Sequence, residues 1–506
     1  MILLAVLLIL TAGALLACPL EKLRAGSSRT LAIAVQLVAM LLLCGYFPHL
    51  EPASFTASAW PQQLFWDEIR QPWIPRFGIS FHLAIDGLGF LMLVLTLATG
   101  LFGLAISGGQ IQHRVGFFHC NYLLAIAGVV GVFTALDLFL FFFFWEVMLI
   151  PMLLLIAIWG YENRTYAAIK FFIFTQASSL LMLAAMVALA YFHFRQSGTI
   201  TFALEDLTGN RLSGGLQFWI MLGFFLAFTV KLPAVPLHPW LPDAHTQAPT
   251  AASILLAAVL LKTGAYGLLR FALPLFPEAS HSFAPIAMAV GAASIIYGAL
   301  MAFSQQDVKR LVAYSSVSHM GFVLLGIYTF NTLAIQGAVM QMLAHGISSA
   351  ALFGIVGKLQ QRLHTRNMAE MGGLWAAFPR LGAVAMFFTM AAVGLPGLGN
   401  FVGEFLVLAG TFTAQPAFTA VAALGLVGAA LYGLRMIQQV FFGSLHDDDI
   451  AAADIRRNNL ALFATAALIL LWIGLYPQPV LNQVRPWVDG IVQQPAATAT
   501  ATAEAP

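Results

Sequence analysis

Thr229-Val-Lys231-Leu-Pro233-Ala-Val-Pro236-Leu-His238-Pro239-Trp240-Leu-Pro242-Asp243-Ala-His245 places four prolines in ten residues at the end of an apolar run that starts near Phe218. Each proline lacks an N–H, and its ring collides with the carbonyl four residues back, so no regular helix continues through this stretch. Lys231 stands at the edge of the interruption, about 20 Å along a helix that rises 1.5 Å per residue. A broken apolar span with a charge at the break is the pattern of a transport protein, in which unwound backbone lines a polar path through the bilayer. A second interruption, Val393-Gly394-Leu-Pro396-Gly397-Leu-Gly399-Asn400-Phe-Val-Gly403-Glu404, again lies beside an intramembrane charge.

The rest of the chain fits an all-α polytopic membrane protein. Of its 506 residues, 60% are hydrophobic and only 9% charged, with a mean hydropathy of +0.87. That composition excludes ordinary soluble and disordered classes, and a net charge of +2 offers no field for nucleic acid. Cys18, Cys44 and Cys120 are far apart and form neither a ligand cluster nor a disulfide framework, so no redox centre or metal site is expected. The apolar start Met1 to Ala17 lacks a basic n-region and reads as an uncleaved first span.

Charge and proline punctuation divides the chain into about fourteen spans, including single spans at Phe218 to Trp240 and Leu381 to Phe412. With the N-terminus outside, about 14 Lys and Arg fall in inner loops and about 6 in outer ones, as the positive-inside rule requires. The outer stretch His49 to Phe81, with Trp60, Trp66 and Trp73 among prolines, is expected to be irregular, and residues 495–506 form a small-residue tail expected to be disordered.

Charges at the bilayer centre cost about 2.5–3.5 kcal/mol each, so Glu146, Lys231, Lys262 and Glu404 demand a role. Snorkelling is excluded by depth, and a purely structural ion pair leaves one lysine over. Glu146 to Lys231 and His319 to Glu404 are both 85 residues apart, while Lys231 to Lys262 and Glu404 to Arg435 are both 31. One offset therefore maps the first set onto the second, and because it spans an odd number of helices the second copy is inverted. Imidazole carries protons near neutral pH, which adds His319 and His345 as relay residues and His238 and His245 as supports. The expected path is Glu146, Lys231, Lys262, His319, His345 and Glu404, with Asp243, Arg435, Pro233, Pro236 and Pro396 shaping it.

The strings Pro72-Trp-Ile-Pro-Arg-Phe-Gly-Ile-Ser80, Phe141-Phe-Phe-Phe-Trp145-Glu146, Lys231 to His245, Ala313-Tyr-Ser-Ser-Val-Ser-His319-Met-Gly321 and Gly399-Asn-Phe-Val-Gly-Glu404-Phe405 closely resemble the subunit M family of bacterial NADH-quinone oxidoreductase, respiratory complex I. The resemblance covers nearly the whole chain before the tail. It implies fourteen transmembrane helices with two inverted five-helix repeats, each holding one broken helix: residues 1–115 for helices 1–3 and an outer loop, 116–283 for the first repeat, 284–443 for the second, and 444–494 for helix 14 and its flanks. It places the family's proton-carrying glutamate and lysines on Glu146, Lys231 and Lys262 and its helix-12 residue on Glu404, where sister subunits L and N have lysine. The long lateral helix of subunit L is not expected.

The same resemblance implies a multi-pass subunit of the bacterial inner membrane, surrounded by lipid and by other membrane subunits, L and N above all. Flavin, iron–sulfur clusters and quinone belong to partner subunits, and this chain holds no cofactor. The implied activity is proton translocation driven by NADH oxidation and quinone reduction elsewhere in the assembly, with Lys231 as a switch tuned by Glu146. A subunit of a cation/proton antiporter or membrane-bound hydrogenase, and a purely structural membrane subunit, are the alternatives.

Overall fold

A computed structural model describes residues 1–50, 64–210, 212–445 and 453–503. The helices are α1 (Ile2–Leu23), α2 (Ser27–Leu43), α3 (Gly87–Ile106), α4 (Val115–Val132), α5 (Leu138–Trp159), α6 (Arg164–Ser197), α7 (Gly214–Lys231), α8 (Trp240–Gln247), α9 (Thr250–Leu275), α10 (Pro277–Ser304), α11 (Val308–Tyr328), α12 (Thr332–Leu363), α13 (Pro379–Val393), α14 (Gly399–Ala414), α15 (Pro416–Phe441), α16 (Arg457–Leu475) and α17 (Gln478–Ala503). Among the described residues thirteen helices are long and apolar enough to cross a membrane, and the split pair α13/α14 supplies one more span.

Both breaks fall where the prolines and glycines put them. α7 stops at Lys231, and α8 restarts only at Trp240, so the span read as Phe218 to Trp240 is two helices. The span read as Leu381 to Phe412 is likewise split, between Val393 and Gly399. The first break is pinned from outside itself: Trp240 Nε1 donates to the Val230 carbonyl at 2.9 Å, and Val235 N donates to Ser294 Oγ of α10 at 2.9 Å. Pro233 is buried, whereas Pro236 and Pro396 are exposed, so each break opens to the surface of the chain. In each five-span set, α4 to α9 and α10 to α15, the fourth span is the broken one.

Helix starts are fixed by short polar side chains that accept from free N–H groups, which stabilises each start by about 1 kcal/mol. Asp86 accepts from Gly89 N, Asp137 from Phe139 N and Leu140 N, Asp307 from Lys309 N and Arg310 N, and Asn331 from Leu333 N and Ala334 N. Burial is graded across the bundle. Every residue in the most apolar stretches of α9 and α11 is buried, as is 94% of that of α12, against 17% for α16. Helices buried on all sides need no lipid-facing stripe, which frees them to carry polar groups toward one another.

Two expectations about the ends of the chain are corrected. The outer stretch is not irregular throughout: β1 (Asp67–Ile74) and β2 (Ile79–Ile85) form an antiparallel hairpin, Asp67 opposite Ile85 and Ile74 opposite Ile79, while Trp60 lies outside the described residues. β2 is apolar at alternate positions, with β-branched Ile79 and Ile85 and with Phe81 and Leu83 between them, a strand pattern masked by the prolines before it. The turn closes on Gly78 at φ 65°, a left-handed conformation, against the Ile200 carbonyl. After α16 the chain forms α17, and its backbone stays helical to Ala503 where a disordered tail was expected. Val480, Val484, Trp487, Val488 and Ile491 recur on one face and are buried against the bundle.

Candidate functional site: a buried line of proton carriers

Lys262 lies at the middle of α9 and is fully buried. Its Nζ donates to the Ala257 carbonyl at 2.6 Å and is 2.7 Å from Nδ1 of His345 on α12. The Ala257 carbonyl belongs to a π-helical stretch, Leu256–Leu260, and a second follows at Leu268–Ala272. The wider π turn re-aims backbone and side chains and occurs preferentially at functional sites.

The line continues in the second half of the chain. His345 Nε2 is 3.2 Å from Ser316 Oγ of α11, and the His345 ring centre is 5.3 Å from that of His319 on the same helix. His319 Nδ1 is 2.8 Å from Glu404 Oε1 of α14, and Gln341 Nε2 of α12 donates to that oxygen at 2.9 Å. Tyr432 of α15 meets His319 Nε2 at 3.1 Å. His319, His345 and Glu404 are each about 98% buried. The second carboxylate oxygen, Glu404 Oε2, has no hydrogen-bond partner and faces Gly394 at the break, where φ is 85° and a Cβ would stand 2.9 Å from it.

The first half is organised differently. Lys231 is buried at the end of α7, with Nζ over the rings of Trp145 and Phe171, 5.4 Å from each centre. No hydrogen bond or ion pair joins it to Glu146: among the described residues Lys231 Nζ and Glu146 Oε1 are both without partners. Adjacent residues on a helix point about 100° apart, so packing that turns Trp145 inward leaves Glu146 half-buried on the flank of α5. The equal 85-residue spacings therefore have unequal outcomes, contact for His319 and Glu404 and separation for Glu146 and Lys231. Nor are Lys231 and Glu404 equivalent in place, since one ends the first half of its broken span and the other is six residues into the second half of its own.

Of the supporting residues, Asp243 is held between Lys170 at 2.6 Å and Arg310 at 3.1 Å, which ties α8 to α6 and α11. His245 is buried and stacks on Phe353 at 4.5 Å, with both ring nitrogens unpartnered. His238 packs edge-on to Tyr297 at 5.0 Å. Arg435 is not brought to the Glu404 cluster; it is half-buried over the ring of Phe303 at 4.9 Å.

Residues 135–431 match a family model described as NADH:quinone oxidoreductase/Mrp antiporter, TM. Over 428 residues the chain is 55% identical to NADH-quinone oxidoreductase subunit M of Pseudomonas aeruginosa, covering 83% of this chain and 84% of that one. The chain belongs to the subunit M family. Its identity to the Escherichia coli K12 subunit M is 51% over 473 residues, covering 92% and 90% of the two chains. A chain of respiratory complex I from Thermus thermophilus with bound NADH shares 31% identity at a TM-score of 0.86, covering 97% of this chain and 99% of that one. The fold alone is shared, at 22% identity and a TM-score of 0.81, with a chain of the Mrp complex from Dietzia sp. DQ12-45-1b.

Within this subunit M family chain several site residues escaped the sequence reading. Gln341 precedes His345 by four residues and Ser316 precedes His319 by three, spacings that put each on its histidine's face and could have revealed both. Lys309, whose place in the sequence suggests an inner-loop charge, is fully buried, with Nζ donating to the Ala248 carbonyl at 2.6 Å. Arg270 and Asp86 form a buried ion pair at 2.6 Å across 184 residues of sequence, which no local pattern announces.

Proposed function

We propose that this chain moves protons across the membrane as a subunit of NADH-quinone oxidoreductase, respiratory complex I. One observation carries the reading: Lys262, His345, His319 and Glu404, four groups able to take up and release a proton, line up as buried side chains inside the bundle, where uncommitted polar groups are costly. Each imidazole can accept a proton on one nitrogen and give one from the other. The single step without a hydrogen bond lies between the two rings, because His345 Nε2 is engaged by Ser316 and His319 Nε2 by Tyr432. Rotation of a ring or entry of a water closes that step, so it is where the path is switched.

Lys231 hands protons toward Lys262 from an aromatic enclosure, and Glu146, on the flank of α5, acts on it from the side that faces a neighbouring subunit. The neighbours are the antiporter-like subunits L and N, and the chain sits in the inner membrane with its N-terminus outside. Electron transfer from NADH to quinone takes place in other subunits, and its energy reaches this chain as motion. The test is His319→Leu in inverted membrane vesicles, with NADH-driven proton uptake normalised to assembled complex. Removal of a positioned proton carrier lowers the uptake rate at least about tenfold; an assembled variant with the parental rate overturns the reading.

A further inference from the structure

A cavity of about 720 Å3 opens between the ends of α2, α12 and α16, lined by Arg29, Lys358, Arg362, Arg456, Asn458 and Asn459. These ends belong to the face on which most Lys and Arg of the chain collect. Lys358 is 94% buried, and among the described residues its Nζ has no hydrogen-bond or ion-pair partner. It lies within reach of the like charges of Arg362, Arg29 and Arg456. Among the described residues Arg29 Nε is buried without a partner. Asp454, which lies near Arg362, accepts from the backbone N–H groups of Arg380, Leu381 and Ile455.

The N-terminus of α16 opens onto the same cavity, with Arg456 at the cap and no side chain capping the first turn. Free N–H groups and the positive end of the helix dipole add to the four cations. Four like charges converging on a concave, part-buried space are mutually repulsive unless an anion sits among them. The rim toward the bilayer is apolar, with Ile33 of α2 and Leu462 of α16, and farther along these helices Leu37, Leu41, Leu468 and Trp472 are exposed. Acyl chains attached to a phosphate in the cavity would meet these exposed apolar side chains of α2 and α16.

We propose that this cavity binds the phosphate headgroup of an anionic phospholipid, whose acyl chains lie along α2 and α16. Basic pockets between transmembrane helices on the inner side suit such headgroups, and each Lys or Arg contributes about 1 kcal/mol. Lys358 and Arg456 make no side-chain hydrogen bond that holds the fold, so Lys358→Gln/Arg456→Gln removes charge without breaking structure.

The test uses the assembly purified with this chain, stripped of lipid and titrated with photoactivatable phosphatidylglycerol, with crosslinks read on the peptide that contains Asn458 and Leu462. The expected half-saturating concentration rises about 30-fold in the double variant, two charges at about 1 kcal/mol each. Arg457→Gln, a neighbouring exposed charge that does not line the cavity, leaves it unchanged. Equal labelling of parent and double variant overturns the proposal, as does equal labelling by a phosphatidylcholine probe. Full protection by millimolar inorganic phosphate, with no gain from acyl chains, overturns the lipid assignment in favour of free phosphate.

Discussion

Breaking the Arg270–Asp86 pair on one side costs far more than removing it whole. Arg270 is 1% exposed, and its Nη2 donates to Asp86 Oδ1 at 2.6 Å, its Nε to the Tyr266 hydroxyl at 2.9 Å, and its guanidinium lies 3.9 Å from the Trp487 ring centre. Asp86 also caps α3 through Gly89 N at 2.9 Å. Asp86→Asn keeps an oxygen that can cap α3 and accept from Arg270, but it removes the countercharge and leaves Arg270 a buried cation with no anion beside it, a loss of about 3–5 kcal/mol. Arg270→Met strands the carboxylate at a similar cost. In Arg270→Met/Asp86→Asn no buried charge remains, and the thioether can still pack on Trp487. That variant should stand within about 1 kcal/mol of the parent, which means a coupling of roughly 5 kcal/mol or more between the two positions. The assay is the heat-inactivation midpoint of proton translocation by the purified assembly, run side by side on the parent and three variants. Additive losses, with the double variant the least stable of the four, would refute the argument that stranded charge sets the cost.

Three further outcomes follow from the same geometry. His345→Leu fills the space of the imidazole but removes the contact between Lys262 and the second half, so proton uptake per assembled complex should fall at least about tenfold while assembly on native gels is retained. Gly394→Ala forces a left-handed φ on a side chain and pushes a methyl against Glu404 Oε2; a loss of about 1–2 kcal/mol in thermal stability, with reduced uptake, is expected, and Gly394→Asn, which tolerates that φ better, should retain more stability. Asp243→Asn releases Lys170 and Arg310 together, and because these groups are partly exposed the cost, read from the same heat-inactivation midpoint, should stay near about 1 kcal/mol and shrink in high salt.

The sequence reading succeeded where one residue type has a single physical consequence. Four prolines within ten residues, 233, 236, 239 and 242, stop a helix where single prolines such as Pro151 and Pro285 are carried inside one, and a charge inside an apolar run is costly, so both broken spans and the intramembrane charges are legible. Partnerships were not. Whether Glu146 touches Lys231 depends on which of Trp145 and Glu146 packing turns inward, and a separation of 85 residues cannot distinguish that case from His319 meeting Glu404. Nothing local links Arg270 to Asp86, which caps another helix, and α17 is hidden because Pro479, Pro486 and Gly490 mask the spacing of its apolar face.

Lys262 leans on a backbone carbonyl and an imidazole, with no carboxylate in its hydrogen-bonding circle. A lysine paired with an acid leaves an anion stranded in the interior each time it gives up its proton, and that stranded charge pulls the proton back. Dipoles leave nothing of the kind: a proton that leaves Lys262 along the proposed path takes its charge with it and strands no anion beside it. A field across the membrane therefore acts on that moving charge without an opposite charge held behind it.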